Sequence, residues 1–369
     1  MAKPTGLSKM LGNVPVSNAM AIAGLAAIGV VVAGAAAAFS YTAGWLSPDR
    51  LTPARMVDRL STLGGDPLGH RRNHAKGICF RGEFTANGAG RAFSKAPMFL
   101  AGHYPVIGRF AIAVQNPMAK DAAGRVRSMA FRITAPDGQE WRSGMNDIPV
   151  FPVATPAAFY DSLQINLPDP ATGKPDPAAG PRFIAAHPEF QPFLQWLKTA
   201  PWTSSYAGET YNALNAFIFV DADGGRHAVR WSMEPTLAPQ LVAPADLAKL
   251  GPDFLEQDLV DRLKQGNLTW HMVVTLAAPG DPTNDATKAW PADRPHAMVG
   301  DLVIYKAEAE ADGPCRDFNF DPLILPVGIE PSDDPLLPAR SSAYANSFDR
   351  RTAEASDYSR TPTPGTPGQ

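Results

Sequence analysis

The segment "RRNHAKGICF" (71–80) sets two arginines, His74 and Lys76 directly ahead of an apolar run that contains Cys79. Imidazole both takes and returns a proton near neutral pH, so His74 is a candidate acid–base. It is also readable as an ordinary histidine at a strand entrance, and the segment alone leaves both readings open. A second cluster lies near the other end of the chain, in "RSSAYANSFDRR" (340–351). Arg340 precedes Tyr344 by four residues, so both fall on one face of a helix. Arg351 follows Tyr344 by seven and returns close to that face. One reading is a phenol packed on a core with arginines holding surface carboxylates, and spacing alone favours it. The other is a phenolate stabilised by a guanidinium. A free phenol has a pKa near 10, and adjacent positive charge lowers it. Such a phenolate is a hard anionic ligand suited to ferric iron.

The elements that must position these residues are mostly strands. Residues 74–86, 104–115 and 125–135 carry β-type and aromatic residues, "PDG" (136–138) turns the chain, and an extended stretch resumes at 139. An Asp-Gly-Gly turn joins the two strands of a hairpin over 215–235. Further strands are expected at 268–277 and 296–309. Helical spacing marks a segment after Ser47, 187–200, one or two helices in 243–266, and 339–355. Residues 167–181 read as a proline-rich loop and 356–369 as a disordered tail. Many antiparallel strands with helices at the edges imply an α+β domain or a closed barrel with helical additions.

The bulk numbers bound the function. The 369 residues suffice for one large domain or two modest ones, and a formal net charge of −3 offers no basic surplus for nucleic acid. Near the N-terminus, Lys3 and Lys9 precede "AMAIAGLAAIGVVVAGAAAAF" (19–39), with Tyr41 and Trp45 after it. As a helix this stretch is about 32 Å long, enough to cross the hydrocarbon of a bilayer. The lysines place residues 1–18 in the cytoplasm and the remainder outside. A cleaved signal peptide is the rival reading, although its apolar region is usually shorter. The two cysteines, Cys79 and Cys315, have no zinc-site spacing, and their separation carries no geometric information about pairing. The other six histidines show no metal-ligand pairing and read as surface or packing residues.

"HAKG" (74–77), "PVIGRF" (105–110), "GMNDIPVF" (144–151) and "ARSSAY" (339–344) occur in the order found in haem catalases. The run "FDPLILPVGIEPSDDPLLPARSSAYANSFDRR" resembles the smaller catalase-related peroxidases. The resemblance covers roughly residues 50–352. It implies an antiparallel β-barrel of the haem catalase type with flanking helices, spanning 47–355, and haem b as cofactor. It further implies that His74 is the distal acid–base and that Asn146 binds peroxide beside it. Tyr344 becomes the axial iron ligand, and Arg340 keeps its phenolate ionised. Arg71, Arg109 and Arg351 fall where haem propionates are held, and Phe159 where a ring packs on the distal haem face.

Some positions depart from that pattern. Ala111 stands where a serine usually orients the distal histidine, so the second nitrogen of His74 is expected to turn to water or backbone. Asn73 replaces a valine, which is expected to make the access channel more polar. The long C-terminal domain and most of the intersubunit arm of ordinary catalases are missing, so an interlocked tetramer is not expected and the oligomeric state is left open. The expected function is a membrane-anchored peroxidase, facing a bacterial periplasm, that reduces hydrogen peroxide with a small organic reductant. Alternatives are a true catalase, an enzyme for organic or lipid hydroperoxides, and a haem-binding module without turnover.

Overall fold

The computed structural model describes residues 18–47 and 49–358, and the chain divides into two compact units at Thr52/Pro53. The first contains helix α1 (Asn18–Thr42), 25 residues with no charged side chain in any turn and none buried. It is long and apolar enough to cross a membrane, and it contains the expected anchor. The expected cytoplasmic segment lies, up to residue 17, outside the described residues.

The second unit is built on a barrel. In chain order its strands are β1 (Gly77–Ala86), β2 (Gly102–Ile112), β3 (Arg127–Thr134), β4 (Glu140–Asn146), β5 (Tyr211–Asn212), β6 (Phe217–Val220), β7 (Arg226–Pro235), β8 (Leu268–Leu276), β9 (His296–Ala309) and β10 (Ile329–Pro331). Strands β1, β2, β3, β4, β5, β7, β8 and β9 pair in that order, and β9 returns to β1, closing an antiparallel ring. Strands β6 and β10 extend the sheet beyond β7. Closure removes the unpaired edges that an open sheet would leave. Register shifts at Arg81/Gly82 and Met272/Val273 supply local bends.

Alternation along the strands sorts side chains into two sets. Phe80, Phe110, Phe131, Trp141, Trp231 and Trp270 point inward and fill the barrel, with Trp141 and Trp231 centroids 5.0 Å apart and Phe110 and Trp270 5.6 Å apart. Full burial of a phenylalanine contributes about 1.5–3 kcal/mol. The alternate residues, Cys79, Arg109, Ala111, Ser128, Ala130, Gly144 and Asn146, face the outside of the barrel wall. Around the barrel lie α2 (Pro53–Gly64), α3 (Pro156–Ser162), α4 (Ala179–Ala186), α5 (Gln191–Thr199), α6 (Phe254–Leu263) and α7 (Leu336–Ala353).

Three expectations shift in detail. The first strand begins at Gly77 rather than 74, because His74 adopts a left-handed conformation with φ 49° that no strand accommodates. The helix expected over 187–200 is split into a tight turn at Pro188–Phe190 followed by α5. The tail expected from residue 356 keeps its first three residues against the body: the Tyr358 ring stacks on His70 with centroids 3.9 Å apart. Residues 359–369 lie outside the described residues.

Candidate active site

Two rows of small and polar residues cross the outer barrel wall. The registers align Cys79, Arg109, Ala130 and Gly144 in one row, and Gly77, Ala111, Ser128 and Asn146 in the next. Four of these eight are glycine or alanine, so groups from other elements can approach the wall closely, and Cys79, Arg109, Ala111 and Ser128 are buried beneath them. Gly77 is required there: a Cβ would lie 2.8 Å from Cζ of Arg109, whose guanidinium lies across it.

His74 sits at one end of these rows. Its amide donates to Asn73 Oδ1 (3.0 Å), which also accepts from Gln115 Nε2 (3.1 Å), and its carbonyl accepts from Arg109 Nη1 (2.8 Å). Asn73 therefore fixes the left-handed turn. His74 Nδ1 lies 2.8 Å from Ser128 Oγ, and Ser128 Oγ donates to Asn146 Oδ1 at 2.6 Å. The partner of the second imidazole nitrogen is thus Ser128, not water or backbone. Burial, and then the charges of Arg109, Arg340 and Arg71, push the His74 pKa down to about 3. The imidazole is neutral at physiological pH, the state in which it acts as a base.

Tyr344 approaches the same strand from α7. Asp334, buried, accepts the Leu336 amide at the helix start (2.8 Å) and Asn215 Nδ2 (2.7 Å). Asn215 Oδ1 in turn accepts from Arg340 Nη1 (2.5 Å), and Arg340 Nη2 donates to the Gly144 carbonyl (3.2 Å). This relay holds the Arg340 guanidinium 5.8 Å from the centre of the Tyr344 ring. Tyr344 Oη has no hydrogen-bond partner among the described residues. A Cβ on Gly144 would come within 3.4 Å of that oxygen, so the glycine clears the space beside it. Gly144 and Asn146 are two residues apart on one strand face, so β4 alone brings the phenol and the His74 cluster to one side of the barrel wall.

The third part is cationic. Arg71 and Arg109 converge on Glu310: Arg71 Nε donates to Oε1 (2.9 Å), and Arg109 donates to both oxygens (2.9 and 2.6 Å). Arg71 also donates to the carbonyls of Cys315 (2.7 Å) and Phe318 (3.1 Å). Arg351, buried, donates to the carbonyls of Arg316 and Phe318. Burial alone would raise the Glu310 pKa, but Arg109 and Arg71 outweigh it and hold the carboxyl at about 2. Three guanidiniums against one carboxylate leave two positive charges. Burial and then repulsion from Arg71 press Arg351 down to about 8. The cluster is short of anions, and two carboxylates would complete it.

Phe159 stands apart from these groups. Thr155 caps α3 by accepting the Ala158 amide (3.2 Å), and the Phe159 ring packs on Phe151 at 5.8 Å in a cluster with Val153 and Phe183. Cys79 and Cys315 form a disulfide, buried with Phe320 and bordered by Tyr344. The remaining histidines find structural partners; His271, for example, lies 2.6 Å from Asp301 across the β8–β9 ladder. Ser128 and Glu310 were invisible to motif reading. Ser128 is one serine in an alternating strand, and Glu310 stands just past the end of a strand, two residues after Glu308, which pairs with Arg81 and Lys306.

A neutral imidazole, an unpartnered phenol and an arginine cluster in excess of its carboxylate thus meet on the outer wall of a closed eight-stranded barrel. The catalase family model matches residues 31–363. A catalase-related peroxidase of Synechococcus elongatus is 35% identical over 302 residues, covering 82% of this chain and 89% of that protein. A catalase-related peroxidase of Mycolicibacterium paratuberculosis is 33% identical, covering 82% and 95%. Among solved structures, a bacterial catalase superposes with a TM-score of 0.70 at 22% identity, covering 84% of this chain and 63% of its own. The chain belongs to the catalase family. It is a peroxide-acting oxidoreductase of the haem peroxidase and catalase type.

Proposed function

We propose that the chain is a membrane-anchored haem b peroxidase that reduces hydrogen peroxide with electrons from a small organic donor. The observation that carries this reading is the face of β4, which sets Asn146 beside the His74 cluster and Gly144 beside the unpartnered Tyr344 phenol. The donor set suits haem: a phenol oxygen next to a guanidinium for ferric iron, and an arginine cluster with two uncompensated charges for two propionates. Tyr344 would hold the iron through its phenol oxygen, Arg340 would favour the ionised form of that phenol, and Arg71, Arg109 and Arg351 would hold the propionates. Phe159 is assigned, on the family resemblance, to the ring that would pack on the distal face of the haem.

Bound haem supplies a redox-active iron and conjugated ring that take two oxidising equivalents from peroxide and yield them to a donor. His74 Nε2 takes the proton from the near peroxide oxygen and delivers it to the far one, so that water leaves as the O–O bond breaks. Asn146 offers an amide donor to peroxide without a competing charge. In balance, hydrogen peroxide and a two-hydrogen donor give two waters and the oxidised donor. Dismutation is the second reading, favoured by the catalase family match; it keeps the same residues and uses a second peroxide as reductant.

The apolar helix α1 and the Cys79–Cys315 disulfide together support an inner-membrane anchor with the catalytic unit in the periplasm, since structural disulfides persist in oxidising compartments. Peroxide added to the haem-loaded full chain, with and without a chromogenic phenol, separates the two activities. Rapid phenol oxidation with little oxygen release is the expected result. Release of one oxygen per two peroxides, unaffected by the phenol, would overturn the peroxidase assignment.

A further inference from the structure

Among the described residues, the hydroxyl of Ser128 is hydrogen-bonded to both distal side chains, at 2.8 Å from His74 Nδ1 and 2.6 Å from Asn146 Oδ1. A serine hydroxyl has a single hydrogen, and a carboxamide oxygen only accepts. The Ser128 hydrogen is therefore spent on Asn146 Oδ1, and His74 Nδ1 must be the donor to Ser128. A neutral imidazole carries one N–H, so Nε2 is left with a free lone pair. The chain runs in one direction: His74 Nδ1–H to Ser128 Oγ–H to Asn146 Oδ1.

The direction matters because both ends are reversible groups. Run backwards, with the Asn146 amide turned, the chain would put the proton on His74 Nε2, which could not then accept one, and would turn the Asn146 carbonyl outward. The backbone does not decide this: the hydrogen bonds of Asn73 and Arg109 hold the His74 main chain, not its ring. Ser128 is also placed for both partners by register. On β3 it faces Ala111 of β2 on one side and Asn146 of β4 on the other. The hydroxyl that Ala111 lacks is thus supplied from the neighbouring strand.

We propose that Ser128 is a positioning residue that fixes the Nδ1–H tautomer of His74 and the amide orientation of Asn146, so that the pair presents one acceptor and one donor to peroxide. This rests on the acid–base role proposed for His74. The test uses the full chain. Loaded with zinc protoporphyrin and labelled with 15N-histidine, it gives the His74 tautomer by two-bond nitrogen–proton correlation, the signal being assigned by its loss in His74→Ala. The Nδ1–H form is expected in the parent and in Ser128→Thr, and a mixed or Nε2–H form in Ser128→Ala. Loaded with haem, Ser128→Ala is expected to consume peroxide about 10–100-fold more slowly, the usual range for lost outer-shell orientation, at an unchanged Soret position. Ser128→Thr, or Ala111→Ser added to Ser128→Ala, restores most of the rate. An Nε2–H tautomer in the parent, or a Ser128→Ala form with parental tautomer and rate, overturns the proposal. A His74→Ala form with full rate would instead overturn the acid–base reading itself, so the two failures are distinguishable.

Discussion

At the scale of single residues, the site is a balance of charge. Its imidazole is kept neutral by burial and by three arginines, while Glu310 is kept ionised by two of the same arginines. Both pKa values lie below those of the unfolded chain, so each group contributes stability that is complete above its unfolded value and is lost as pH falls toward the folded one. For His74 that window runs from about 6.5 down to about 3, and for Glu310 from about 4.5 down to about 2. Asp147 works in the opposite direction over the same range, because burial and then Glu209 raise its pKa to about 7. The haem-free parent should therefore lose denaturant midpoint relative to His74→Gln as pH is lowered from 6.5 to 4.5, and a difference between the two that is independent of pH across that limb would contradict the burial of a neutral histidine. The sequence singles out His74, Asn146, Tyr344 and the arginines because they fall inside an ordered set of short motifs. It does not single out Ser128, because only the pairing of β2, β3 and β4 reveals that this serine replaces what Ala111 lacks.

At the scale of elements, β4 and the turn Pro314–Asp317 do most of the positioning. The turn presents the carbonyls of Cys315 and Arg316, and the Phe318 carbonyl follows just beyond it; these three receive Arg71 and Arg351. The disulfide ties the turn to β1 in the row that carries Arg109. Joint Cys79→Ser and Cys315→Ser replacement is expected to cost about 2–4 kcal/mol of stability and to speed haem transfer to an acceptor protein. Equal transfer rates would show that the turn does not need the tether. The long strands and α7 were readable from alternation and helical spacing. Strand β5, two residues long, was not, yet it joins β4 to β7 in the ring. No periodicity exists in so short a segment, and its pairing is set by tertiary packing alone.

At the scale of the molecule, an apolar helix precedes in sequence a closed barrel that carries the candidate site on its outer wall. The proposed topology predicts that the full chain sediments with membranes and that its catalytic unit is cut by protease added to spheroplasts. Protection until the membrane is lysed would place that unit on the cytoplasmic side. Everything proposed for this wall depends on its holding haem on the Tyr344 phenolate. Absorption titration of the full chain with hemin, for the parent and Tyr344→Phe side by side, tests that dependence. A Soret band saturating at one haem per chain is expected in the parent, and a shifted, weakened band in Tyr344→Phe. A folded parent chain that stays colourless, or a Tyr344→Phe spectrum identical to the parent's, would contradict it.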